Sequence, residues 1–213
     1  MTRHRDTAAE RRFTGTLAVV PAAAGQIANS VVRNMGTIGG SISFADPGLD
    51  YPPALVAAGA EIEIAAASGR RRLPARDFFR DWYQTALEPS EIVAAVLLPP
   101  AAPGIGRYHK LARVAGDYAT ASVAITLRRE GGGVRAAVAI GACGPVPLRL
   151  DEADALLSGQ PDEQAVRRAG ELLQQAADPV DDVRGTAEYR RMLIPRMLSR
   201  AMTEARRDLE ALP

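Results

Sequence analysis

The chain has 213 residues, and Lys plus Arg (26) almost equals Asp plus Glu (25), for a net charge of +1. That length buries a real core in one large domain or two small ones, and the charge balance gives no general attraction to nucleic acid or an acidic membrane. Hydrophobic residues are 47% and charged residues 24%, which argues against disorder. No stretch reaches the roughly 20 apolar residues of a membrane span, and the first residues, MTRHRDTAAERRF, lack the apolar centre of a secretion signal, which points to a cytoplasmic protein. One cysteine excludes an internal disulfide framework and any cysteine-ligated iron–sulfur or zinc centre built by this chain alone.

In chain order, Ala22 to Ser30 reads as a short helix and Gly36 to Ser43 as a Gly-rich loop. Tyr51 to Gly59 reads as a helix with Asp50 as N-cap, Pro52 and Pro53 in its first turn and Gly59 as its stop. Ala60 to Ala66 alternates like a strand, and Gly69 to Arg72 follows as a basic, solvated turn. Ile92 to Leu98 is a strand ended by Pro99 and Pro100. The segment Ala101 to Gly106 is the best boundary in the chain, because Pro and Gly cluster there. Strands are expected at Arg107–Ala112, Ala119–Arg128 and Val134–Ile140, with Glu130–Gly133 as a hairpin turn between the last two. Helices follow at Asp151–Leu157, at Asp162–Ala177 and at about Gly185–Leu209, where Pro195 is expected to kink or restart the last one. The second half therefore reads as a three-stranded antiparallel sheet followed by helices, an α+β arrangement.

Chemistry-bearing residues concentrate in two places. In Val32 to Pro53, Thr37, Gly39, Gly40 and Ser41 offer backbone N–H groups and hydroxyls, and Asp46 and Asp50 follow. Glycines there let the main chain approach a ligand closely. The spacing fits neither the dinucleotide fingerprint nor the P-loop. It fits equally a plain glycine turn before a helix that Asp50 merely caps. In Tyr108 to Thr120, Lys110 is the only lysine and Tyr118 follows Gly116-Asp117. Tyr118 could stack on a planar ring, or be a strand residue packed on a helix beside an exposed Lys110. His4 and His109 stand alone, with no metal-ligand spacing, and Cys143 reads as a small buried residue. No catalytic triad or paired carboxylates are visible, so no catalytic or metal-ligating residue is assigned.

VRNMGTIGGSISFADPGLDYPPALVAAGAEI, PARDFFRDWYQTALEPSEIVAAVLLP, YHKLARVAGDYATASVAITL, GPVPLR and RGTAEYRRML occur in that order. Together they resemble the FAD-binding medium subunit of molybdenum hydroxylases, the carbon monoxide dehydrogenase and xanthine dehydrogenase family, over nearly the whole chain. The resemblance implies an α+β fold: the second half of a PCMH-type FAD-binding domain (residues 1–103), then the C-terminal domain of the flavin subunit (residues 104–213), a three-stranded antiparallel sheet with a helical bundle. It implies an oxidoreductase subunit with FAD as cofactor. Electrons would come from the 2Fe-2S clusters of a small subunit and, before them, from a large molybdopterin subunit. They would leave for an external acceptor, within a hetero-oligomer expected to be a dimer of heterotrimers. By the matching motifs, Thr37, Ile38, Gly39, Gly40 and Ser41 would hold the FAD phosphates and ribityl chain. Asp50 would hold the flavin, Lys110 would lie near an isoalloxazine carbonyl, Tyr118 would shield the isoalloxazine face, and Leu87 would fall near the adenine. Relative to that family, no A-G-G-type loop precedes Val32, so the chain is expected to lack the N-terminal FAD subdomain and half of the pyrophosphate site. The alternative expectation is an assembly module that binds partner subunits without FAD.

Overall fold

A computed structural model describes residues 1–212. The first part carries α1 (His4–Ala8), a 3-10 turn at Gly15–Ala18, α2 (Val19–Gly25), α3 (Ser30–Met35), α4 (Ile38–Phe44) and α5 (Tyr51–Ala57). Two sequence expectations change here. The Ala22–Ser30 segment splits between α2 and α3, because the Asn29 side chain accepts from the Val32 N–H and starts a new helix there. The Gly-rich 36–43 stretch is not a loop: Thr37 caps it by accepting from the Gly40 N–H at 3.2 Å, and residues 38–44 wind into α4. That cap overrides the poor helix propensity of two glycines.

β1 (Glu61–Ala66) and β2 (Gly69–Pro74) form a hairpin, followed by α6 (Ala75–Phe78), the small hairpin of β3 (Phe79–Asp81) and β4 (Gln84–Thr85), and β5 (Ile92–Leu97). The first sheet has the order β2-β1-β5, all antiparallel. Ile62 and Ile64 point into the core, while Glu63 on the other face pairs with Arg70 and Arg72 across the register. The run Arg70–Arg72 is thus not a turn but the exposed half of β2, and Arg71 pairs with Glu91. Those carboxylates lie far off in sequence, so the arginines read alone as a solvated bend.

β6 (Ile105–Leu111), β7 (Ala121–Glu130) and β8 (Gly133–Gly141) form the second antiparallel sheet, in that order. The last elements are α7 (Asp151–Leu156), α8 (Glu163–Ala176) and α9 (Ala187–Glu210). β7 is buried from Ala121 to Leu127 because both of its faces are covered. Val123, Ile125 and Leu127 pack with Val138 and Ile140 of β8 and with Leu173, Ile194 and Leu198 of α8 and α9. On the opposite face, Ala124, Ala139 and Tyr108 join the core of the first part, with Val20, Tyr51 and Leu55. Residues there are small because α5 lies close. Thr126 Oγ1 donates to Ala57 O at 3.3 Å, and a Cβ on Gly141 would collide with Pro53.

α9 is one continuous helix with Thr186 as its cap, so Pro195 does not restart it. Gly170 of α8 faces Pro195, where an added Cβ would come within 2.9 Å of the proline Cα and Cβ. Gly170→Ala should therefore destabilise the protein by about 1–3 kcal/mol by overpacking, although Ala is the better helix former. A midpoint in urea denaturation that rises would show the seam to be slack.

Candidate functional site

α4 sets the frame. Its first turn holds Thr37, Ile38, Gly39 and Gly40, and these residues line a groove of about 630 Å³ with Leu87 and with Glu91–Val96 of the β5 side. That volume suits a small-molecule ligand. The Ile38 N–H is taken by Thr2 O, the Gly40 N–H by Thr37 Oγ1 and the Ser41 N–H by Thr37 O. Among the described residues the Gly39 N–H has no such partner, and a Cβ on Gly39 would meet nothing within 4 Å. The backbone at Gly39 is thus open to a ligand. Ser41 sits half-buried one turn on, and its side chain makes no hydrogen bond among the described residues.

At the other end of α4, about 10 Å away at 1.5 Å per residue, lies an open aromatic cluster. Phe44 is 52% exposed, Tyr83 56% and Tyr118 38%. The Phe44 and Tyr83 rings meet edge-on at 5.4 Å, and Tyr83 Oη donates to Asp46 Oδ2 at 3.1 Å. Tyr118 packs against Gly48, and the Arg184 guanidinium lies over its ring at 4.9 Å. Tyr118 is therefore not a strand residue. It sits in the loop between β6 and β7 and is partly exposed. Tyr83 has φ 56°, which is strained for a bulky residue and is held in the β3–β4 turn. Burial and the Asp46 carboxylate push the Tyr83 phenol up from its ordinary pKa.

Asp50 and Lys110 are turned inward. The ammonium lies 3.0 Å from Asp50 Oδ1 and also donates to Gln26 O at 2.7 Å and Asp117 O at 3.1 Å. Tyr108 Oη donates to Asp50 Oδ1 at 2.7 Å. Lys110 is thus buried, not exposed, and Asp50 makes no side-chain cap to α5. Burial raises the Asp50 pKa, against the pull of Lys110 and Tyr108. The pair binds β6 to the start of α5 and pins both the α2–α3 connection and the Tyr118 loop.

The structure therefore gathers the expected residues other than Ser41, which does not line the groove, into three groups. Thr37, Ile38, Gly39, Gly40 and Leu87 share the groove, Tyr118 stands in the aromatic cluster, and Asp50 with Lys110 forms a buried post beneath it. Phe44, Tyr83 and Arg184 escaped the sequence reading. Phe44 follows Gly40 by four residues and so shares its helix face, which is the one local signal. Elsewhere, a larger cleft of about 1130 Å³ between α8 and α9 is lined by Glu163, Arg167, Arg206 and Glu210 and holds none of the expected residues. Cys143 is buried, and burial pushes its thiol up to about 12, which makes it inert. Among the described residues no cluster of His, Cys, Asp and Glu could hold a metal ion, and no helix is long and apolar enough to cross a membrane.

Residues 1–101 match the family described as the FAD binding domain in molybdopterin dehydrogenase, and residues 106–205 match the CO dehydrogenase flavoprotein C-terminal domain. The chain is 39% identical to the carbon monoxide dehydrogenase medium chain of Afipia carboxidovorans over 84% of its own length and 64% of the relative's. It is 34% identical to the medium chain from Hydrogenophaga pseudoflava, over 96% and 72%. The fold superposes on the carbon monoxide dehydrogenase structure from Hydrogenophaga pseudoflava with a TM-score of 0.91 at 36% identity, covering 96% of this chain and 72% of that one. Quinoline 2-oxidoreductase from Pseudomonas putida gives 0.88 at 29% identity, covering 98% and 74%. The chain thus spans about two thirds of the length of the relatives it matches. On this sequence and this fold, the chain belongs to the family of FAD-binding medium subunits of the molybdenum hydroxylases, whose members are subunits of oxidoreductases.

Proposed function

We propose that the chain is the electron-transfer flavin subunit of a molybdenum hydroxylase. It holds FAD, receives electrons from the 2Fe-2S clusters of a small subunit supplied by a large molybdopterin subunit, and passes them to an external acceptor. The observation that carries this reading is α4 itself, with an open glycine backbone at one end and an exposed aromatic cluster at the other. A phosphate-bearing ligand with a planar ring needs both, at about that separation. The groove and cluster fit FAD in chemistry: Gly39 leaves room for a close backbone approach, and Tyr118, Tyr83 and Phe44 offer exposed aromatic rings for stacking. When bound, the flavin supplies the redox chemistry, which no side chain of this protein can. Thr37 through Ser41 then seat the phosphates and ribityl chain, and Leu87 gives an apolar wall on the same groove. Asp50 and Lys110 act beneath the site, holding the loop that carries Tyr118. The same proposal divides the chain into residues 1–103 and 104–213, and it includes the two partner subunits.

A second reading, an assembly module without FAD, draws on the inward turn of Asp50 and Lys110, whose charges are spent within the protein. Retained flavin separates the two. The test is the visible spectrum after incubation with FAD and desalting, for the chain alone and mixed with its iron–sulfur and molybdenum partner subunits. Flavin bands are expected in the mixture at least. Gly39→Val should cut retention about tenfold or more with little change in thermal stability, because its side chain enters the groove and an added Cβ meets nothing within 4 Å. Absence of flavin from both samples would sink the flavin reading and leave the assembly module.

A further inference from the structure

The ring of Tyr118 is held by more than its own loop. Asp117 Oδ1 accepts from the Tyr118 N–H at 2.7 Å and from Arg184 Nε at 3.2 Å, while the Arg184 guanidinium covers the ring at 4.9 Å. Arg184 therefore grips the tyrosine twice, through its face and through the carboxylate that fixes its backbone. Two further hydrogen bonds join the same segments. Thr120 Oγ1 donates to Arg184 O at 3.1 Å, and an Arg113 guanidinium nitrogen donates to Val183 O at 2.9 Å. Arg184 itself is placed by a tight turn in which Asp182 and Gly185 exchange backbone hydrogen bonds, and the Asp182 carboxylate accepts from the Arg184 N–H at 2.7 Å. The tyrosine also meets Gly48, where an added Cβ would come within 3.3 Å of Tyr118 Cδ1 and Cβ.

Such a grip is more than loop packing requires, since the ring it holds is 38% exposed. An unrestrained exposed tyrosine samples several rotamers and loses that freedom on stacking. A guanidinium over the ring, anchored by its own ion pair to Asp117, removes the freedom beforehand. We propose that Arg184 is a positioning residue that holds Tyr118 as a preformed stacking surface for a planar ligand. In the function proposed above, on which this inference rests, that ligand is the isoalloxazine of FAD. Arg184 does so from 66 residues away in the sequence, on the segment that leads into α9.

Two measurements on the full chain test this. The first needs no cofactor: amide hydrogen exchange of residues 113–119 in Arg184→Met, compared with the unaltered chain. Exchange should quicken at least fivefold there and stay unchanged in β7 and β8, and Arg184→Lys, which keeps charge but not the flat fork, should fall between. Unchanged exchange in the loop overturns the proposal. The second follows flavin release by the recovery of its fluorescence, in a double-mutant cycle with Tyr118→Ala. Arg184→Met should speed release about fivefold when Tyr118 is present and less than twofold when it is absent. Equal acceleration in both backgrounds means that Arg184 acts on its own and overturns the positioning role. If the unaltered chain and its assembled complex take up no flavin, the functional reading and the flavin role fall together, and the exchange measurement alone then decides whether Arg184 fixes the loop.

Discussion

Replacing Lys110 with Met should cost about 3–5 kcal/mol of stability at neutral pH, the usual penalty for stranding one member of a buried ion pair. The ammonium has three anchors, Asp50, Gln26 O and Asp117 O, and Met supplies none of them. The loss should depend on pH, and its sign follows from Asp50. Burial already raises the carboxyl pKa above its unfolded value, with Lys110 opposing the rise. Without Lys110 the folded pKa rises further. A carboxyl raised in the folded state favours folding while protonated and disfavours it once ionised, so the penalty appears as pH climbs through the window between unfolded and folded values. Urea denaturation of Lys110→Met should therefore show a smaller deficit at pH 4.5 than at pH 7.5. Adding Asp50→Leu to the same protein should restore part of the loss, because an apolar pair replaces the ionic one. A deficit that is the same at both pH values would mean that Asp50 reaches solvent.

Arg190→Met should be nearly as damaging, about 3–5 kcal/mol, for a different reason. Arg190 is buried under the turn at 182–185. One guanidinium nitrogen donates to Thr120 O at 2.6 Å and Ala142 O at 2.9 Å, and the other meets the Asp182 carboxylate. Two buried carbonyls at the ends of β7 and β8 lose their donor together. Methionine replaces the arginine stem as far as Nε but not the terminal nitrogens that make these bonds, so the effect reads chiefly as unsatisfied polar groups. Differential scanning calorimetry would register a fall in the midpoint of several degrees or more. A shift below one degree would show that water replaces the guanidinium.

The strands were legible where their apolar alternation was local. Ala60–Ala66, Ile92–Leu98 and the three strands of the second sheet needed only a period of two and flanking turn residues, and each lies within two residues of its expected ends. β2 was not legible, because its arginines face outward and their partners, Glu63 and Glu91, lie 9 and 20 residues away. Asp50 shows the same limit at a single residue. Its place before a helix was right, yet the side chain is drawn off its cap by Tyr108 and Lys110, nearly 60 residues on. In the candidate site, the glycine groove could be read because its residues are contiguous. Of the aromatic end only Tyr118 could, since residues 44, 83 and 184 meet it only through the fold. Pro195 misleads for a related reason. A proline ends an isolated helix, but here its ring is seated on Gly170 of the neighbouring helix.

The inner face of the second sheet has a consequence for how the molecule comes apart. Ala124, Ala139 and Tyr108 belong to the same core as α2 and α5, and Arg149 reaches across to Val56 O at 2.8 Å. The irregular crossing at residues 98–104 is therefore a tether between surfaces already joined by burial. A protease that nicks it should leave two fragments that elute as one particle and melt in one transition. Expressed separately, each fragment would carry an open apolar face and precipitate or seek the other.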